Sequence, residues 1–137
     1  MKAWIENISL WANKCSQMWN WRSPKISRVW GYYRVLYQVP GTRVKELTVA
    51  PGQKLSMQRH ANRSEYWLVT QGACVVYYMT PAGCVLTPPA ELKAHDHYNV
   101  YQGDWHQLVN PHDVTCRIVE IQYGSACDET DIERANI

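Results

Sequence analysis

The stretch Pro51–Gly72, PGQKLSMQRHANRSEYWLVTQG, decides the reading of this chain. Pro51-Gly52 and Gln71-Gly72 are turn signals at its two ends. Between them the residues alternate as strands do, over Lys54–Gln58 and again over Glu65–Thr70. Gln58 and His60 stand two apart and so point to one face, while Arg59 points to the other. The polar run Ala61-Asn62-Arg63-Ser64 reads as a tight connection. Glu65 then opens a second apolar run, Glu65-Tyr66-Trp67-Leu68-Val69. A hairpin here brings Glu65 back beside Gln58 and His60. An amide oxygen, an imidazole and a carboxylate then converge, a set that suits a borderline divalent ion.

Three ligands leave such a site incomplete, and His106 is the candidate fourth. It follows Gly103 and begins another strand-like run, His106–Asn110. Four protein ligands with open positions for water or substrate make a catalytic rather than a structural arrangement. Zinc comes first among the ions such a set accepts, with Mn, Fe, Co and Ni behind it. His95, His97 and His112 are rival ligands; His95-Asp96-His97 is read as an exposed hairpin.

These residues carry a resemblance. Gly52, a ligand at 58, His60, Glu65 and Gly72 follow the spacing of the first cupin motif, with Gln58 where the usual pattern has a histidine. Gly103-Asp104-Trp105-His106 is similar to the second motif, with Tyr101 in place of its proline. Leu55-Ser56-x-Gln58-x-His60-x-x-Arg63-x-Glu65-x-Trp67 resembles the signature of the C-terminal domain of type II phosphomannose isomerases. Arg28-Val29-Trp30-Gly31, Val44–Leu47, Ile118–Gly124 and Glu129–Arg134 agree with it, so the resemblance spans about residues 25 to 134. It implies an all-β cupin jelly roll, a divalent metal, and the interconversion of mannose 6-phosphate and fructose 6-phosphate through an enediolate. Arg63, which matches the family's arginine, is either a phosphate ligand or a hairpin arginine paired with an acid. Lys45, Glu120 or hydroxide on the metal is the base. Lys45 and Glu46 are adjacent on a strand, so only one of them faces inward. Glu120 shares a face with Cys116, Ile118 and Gln122, and inside a barrel it needs a partner, for which Arg28 is the candidate. The alternatives are a cupin that binds a sugar or small acid without turnover, and a cupin dioxygenase. The chain is too short for a nucleotidyltransferase domain and lacks its Gly-rich phosphate loop.

Composition agrees with one core. The 137 residues are 46% hydrophobic, with seven Trp, nine Tyr and no Phe. A net charge of +2 without a basic block points away from nucleic acid. Five cysteines without a CxxC pair, no signal peptide and no long apolar run indicate a reduced, cytoplasmic protein off the membrane. Short strands with turns about every ten residues argue for an all-β barrel spanning 25–137. Trp67, Trp105 and Tyr123 are read as core or cavity wall. Pro88-Pro89 excludes a central strand around it. Trp4, Ile8, Trp11, Cys15 and Met18 make one face of a helix, so residues 1–24 form a short helical extension that packs on the barrel or on a second subunit. A homodimer is expected. The tail from Asp128 reads as one or two helical turns.

Overall fold

The computed structural model describes residues 23–137. The expected helix over residues 1–24 therefore falls almost wholly outside the described residues. Eleven strands follow: β1 (Ile26–Arg28), β2 (Gly31–Val39), β3 (Thr42–Val49), β4 (Gln58–Arg59), β5 (Arg63–Gln71), β6 (Ala73–Met79), β7 (Val85–Lys93), β8 (His97–Val100), β9 (Trp105–Val109), β10 (Cys116–Gly124) and β11 (Glu133–Arg134). They form two antiparallel sheets, ordered β1-β2-β3-β10-β5-β8 and β11-β4-β9-β6-β7. The two sheets pack face to face as the double-stranded β-helix of a cupin.

Alternation builds the core. On β5 the buried positions are Arg63, Glu65, Trp67 and Val69, and on β10 they are Cys116, Ile118, Glu120 and Gln122. The register sets these rows side by side: Val49 faces Cys116, Leu47 faces Ile118, and Lys45 faces Glu120. Across β10's other edge, Val69 lies opposite Ile118, Trp67 opposite Glu120, and Glu65 opposite Gln122. Each inward row is thus apolar at one end and polar at the other. The apolar ends meet Cys74, Val76 and Leu108 from the second sheet and close the barrel. Each fully buried aliphatic or aromatic side chain there stabilises the fold by roughly 1.5–3 kcal/mol. The polar ends open into a cavity.

Two sequence expectations change. The run Lys54–Gln58 is not a continuous strand: it contributes a lone bridge from Lys54 to Val109 and the short β4. The tail makes turns and β11 rather than a helix. Glu133 and Arg134 pair with Arg59 and Gln58, and the ladder's hydrogen bonds hold the backbone extended. The prolines of β7 sit on the outer strand of its sheet, where a missing N–H costs no ladder bond. Gly72 turns β5 into β6 with φ of +74°, and a Cβ there would lie 2.5 Å from the Thr115 carbonyl oxygen.

Candidate metal centre

His60 directly follows β4, β5 carries Glu65 two residues in, and β9 carries His106. Their ligand atoms lie within 4.8 Å of one another, and all three residues are buried. His60 Nε2 is 3.2 Å from Glu65 Oε1, and His106 Nε2 is 3.8 Å from Glu65 Oε2. The two imidazole centroids are 5.2 Å apart.

The tautomers follow from the outer bonds. His60 Nδ1 donates to the Asp131 carbonyl oxygen at 2.6 Å, and His106 Nδ1 donates to that of Asp104 at 2.9 Å. A carbonyl only accepts, so both protons sit on Nδ1 in the neutral rings. Both Nε2 lone pairs then face the same carboxylate. His106 Nε2 is buried without a hydrogen-bond partner. The His60 lone pair meets Arg63 Nη2 at 3.4 Å, which leaves the His106 lone pair, set against the carboxylate, as the place for a cation. Two imidazole nitrogens and one carboxylate are the donor set of a borderline divalent metal, and the residues fit such an ion.

The carboxylate is held from both sides. Arg63 Nε donates to Glu65 Oε1 at 3.1 Å, and Trp67 Nε1 donates to Oε2 at 3.1 Å. Burial alone would raise the Glu65 carboxyl; the His60 and His106 rings and the Arg63 charge beside it outweigh that and hold the carboxyl well below the usual range. Burial pushes His106 down against the pull of Glu65 and the Asp104 carbonyl, so Arg63 is the dependable positive charge beside the carboxylate.

Gln58 pairs across from His106 in the β4–β9 register, and its Oε1 accepts from Ser56 Oγ at 3.0 Å. It lines the cavity with Glu65 and stands two residues before His60 in the chain. Arg63 is buried, with Nη1 donating to the Asp128 carbonyl oxygen at 2.8 Å. Of the two sequence readings for Arg63, the geometry matches the arginine paired with an acid. Lys45, not Glu46, faces inward; it is 5% exposed, bonded to Glu129, and 4.4 Å from the Tyr33 ring centroid. Glu120 is buried too, but its partner is not Arg28. Gln122 Nε2 donates to Glu120 Oε1 at 2.7 Å, while Arg28 donates to the Ser27 carbonyl and the Tyr33 hydroxyl. Burial and the Glu65 charge push the Glu120 carboxyl up to about 7, with Lys45, Gln122 and Arg63 pulling the other way. His95, His97 and His112 are exposed and stand apart from the cluster.

The tail holds the site in a way sequence reasoning missed. Besides receiving His60 Nδ1, Asp131 accepts the backbone N–H groups of Ala61 and Asn62 on its two carboxylate oxygens, each at 2.9 Å. Glu129 meets Arg43 and Lys45, and Glu133 meets Arg59. These contacts join residues 69 to 86 positions apart, and no local pattern signals them. Trp67 was legible as a buried neighbour, since it stands two residues from Glu65 on the same face.

The fold with this cluster defines a cupin. The model of the family described as mannose-6-phosphate isomerase, C-terminal, matches residues 16–136, and the chain belongs to that family. It is 32% identical over 116 residues to the alginate biosynthesis protein AlgA of Pseudomonas aeruginosa, covering 80% of this chain and 21% of that protein. It is 31% identical over 113 residues to a mannose-1-phosphate guanylyltransferase of Sinorhizobium fredii, covering 81% and 20%. The chain thus spans about a fifth of the length of these curated relatives. Among solved structures, the capsular polysaccharide assembling protein CapF of Staphylococcus aureus matches with a TM-score of 0.71 at 15% identity, covering 89% of this chain and 35% of that one. An uncharacterized conserved protein with a double-stranded β-helix domain from Klebsiella pneumoniae matches at 0.66 and 17%, covering 82% and 90%. At such identities these two structures speak to the fold. Among the described residues no helix is long and apolar enough to cross a membrane.

Proposed function

We propose that this chain is a metal-dependent sugar-phosphate isomerase that interconverts mannose 6-phosphate and fructose 6-phosphate. The observation that carries the reading is the convergence of two imidazoles on one buried carboxylate, His60 and His106 on Glu65, with Glu65 itself lining a polar cavity. Family membership supplies the substrate pair. Gln58, His60, Glu65 and His106 would hold the metal, zinc first. Bound there, a divalent ion supplies positive charge to the sugar oxygens as negative charge develops on them.

The chain's own groups supply the rest. Glu120 lines the cavity with Gln58 and Glu65, and a carboxyl that titrates near neutrality is matched to moving a proton between neighbouring carbons. Lys45, opposite Glu120 in the ladder and anchored by Glu129, sets a fixed positive charge beside that step. Arg63 holds the Glu65 carboxylate in place, as Trp67 does. Free thiols at Cys74, Cys84, Cys116 and Cys127 support a reducing, cytoplasmic setting. A homodimer remains part of this reading.

Turnover of mannose 6-phosphate by the metal-loaded wild type, beside Glu120→Gln, tests it. The variant should keep its metal and lose on the order of 10²–10⁴ in kcat. A metal-loaded wild type that binds the sugar phosphate without turnover would replace the isomerase by a binding cupin, and oxygen uptake would replace it by a dioxygenase.

A further inference from the structure

The cations around the cavity fall into two groups. Lys45 is engaged by Glu129, and Arg63 by Glu65 and the Asp128 carbonyl. Arg28, Lys54 and Arg134 line the same cavity of about 350 Å³, are exposed, and form no ion pair among the described residues. The acids of the cavity are already committed: Glu65 to Arg63, Glu120 to Gln122, and Glu129 to Lys45 and Arg43.

Their places are set by the fold. Arg134 lies opposite Gln58 in the β11–β4 ladder. Lys54 is bridged to Val109 and stands two residues before Ser56, whose hydroxyl reaches Gln58. Both therefore rise from the five-stranded sheet. Arg28 ends β1 on the six-stranded sheet, its guanidinium 5.2 Å from the Tyr33 ring centroid. Three like charges around one opening, none neutralised, raise the local concentration of anions. Deeper in, the Gln122 Oε1 is buried without a partner and free to accept a hydroxyl proton.

We propose that Arg28, Lys54 and Arg134 form a phosphoryl subsite at the rim of the cavity, which takes the dianion of a phosphomonoester. This rests on the sugar-phosphate reading of the cavity and deepens it. The Arg134 fork and the Lys54 ammonium offer donors to the phosphoryl oxygens, Arg28 adds a third charge although its Nη groups bond the Ser27 carbonyl and the Tyr33 hydroxyl, and the hydroxyl-bearing body then reaches inward towards Gln122 and Glu120. Arg63 is not needed for this task, because it is buried and its charge is paired with Glu65. The subsite is built without the metal ligands, so anion binding does not require the metal.

The test is calorimetric titration of the full chain at low ionic strength, metal-loaded and metal-free, with mannose 6-phosphate, inorganic phosphate and mannose. The variants are Lys54→Gln, Arg134→Gln, the double substitution, and Lys93→Gln as a remote cation on β7. Both phosphates should bind the wild type in either metal state. Each single substitution should weaken them about tenfold and the double about a hundredfold, as expected for lost charge-assisted bonds. Lys93→Gln should change nothing, and metal content should hold in every variant. Inorganic phosphate binding as tightly as mannose 6-phosphate would assign the affinity to the phosphoryl group alone; tighter binding of the ester would assign part of it to the sugar. A double variant that binds like the wild type, equal weakening by Lys93→Gln, or a folded wild type that ignores both phosphates overturns the proposal. The two readings separate cleanly. Phosphate binding without turnover removes the isomerase and keeps the subsite. Turnover whose KM is untouched by the double substitution keeps the isomerase and removes the subsite.

Discussion

Asp131→Ala is the perturbation that best probes how the tail serves the site. Its carboxylate receives two backbone N–H groups at 2.9 Å each, and they belong to the turn between His60 and Arg63. Burial would raise this carboxyl, but the bonds from Ala61 and Asn62 and the charges of Arg63 and His60 lower it overall. Hydrogen bonds to a charged group contribute about 1.5–3 kcal/mol each. The residue is only half-buried, so water takes over part of that in the variant, and a net loss of about 1–3 kcal/mol is expected. For a domain of this size that lowers Tm by roughly 3–10 °C. The same turn fixes the Asp131 carbonyl that receives His60 Nδ1, so loosening it should also weaken metal binding by about tenfold. Thermal melts with and without metal, beside competitive metal titration, read both quantities. A fallen Tm with unchanged metal affinity would refute the link between the tail and His60.

Two further outcomes follow from the polar half of the barrel and from its turns. Glu120 binds its proton up to about pH 7 in the folded chain and near 4.5 when unfolded. The folded state therefore holds the extra proton between those values, and the metal-free protein loses roughly 2–3 kcal/mol of stability as pH rises from about 4.5 to 7. Glu120→Gln should flatten that slope in urea melts across the range, and an unchanged slope would count against the buried carboxyl. Gly72→Ala combines a positive φ with a Cβ 2.5 Å from the Thr115 carbonyl oxygen, so it should cost about 2 kcal/mol or more. A variant that melts with the wild type would contradict the turn.

Much of this was legible because strands write their faces at a period of two. TRVKELTV and CRIVEIQY carry the inward rows Lys45-Leu47-Val49 and Cys116-Ile118-Glu120-Gln122 in plain alternation. His60, Glu65 and His106, which the fold brings together, stood out by spacing between glycine turns. What stayed hidden depends on pairing between distant segments. Whether Lys45 or Glu46 faced inward hung on the parity of one strand. The partner of Glu120 is the exception, since Gln122 shares its face two residues along on β10, whereas Arg28 bonds the Ser27 carbonyl and the Tyr33 hydroxyl. The tail reads as helical because ten residues hold little periodicity, and its strand exists only against β4. The strand over Lys54–Gln58 was overextended for the same reason, since alternation there reflects one lined face and not a full ladder.

The central claim is that His60, Glu65 and His106, with Gln58, hold a divalent metal on which sugar-phosphate isomerisation depends. The most direct measurement is metal content together with isomerase activity on mannose 6-phosphate, after reconstitution, for the wild type beside His60→Ala. One ion per chain with turnover in the wild type, and loss of both in the variant, is the predicted result. A folded wild type that retains no metal, or a His60→Ala protein that keeps both metal and turnover, would contradict it.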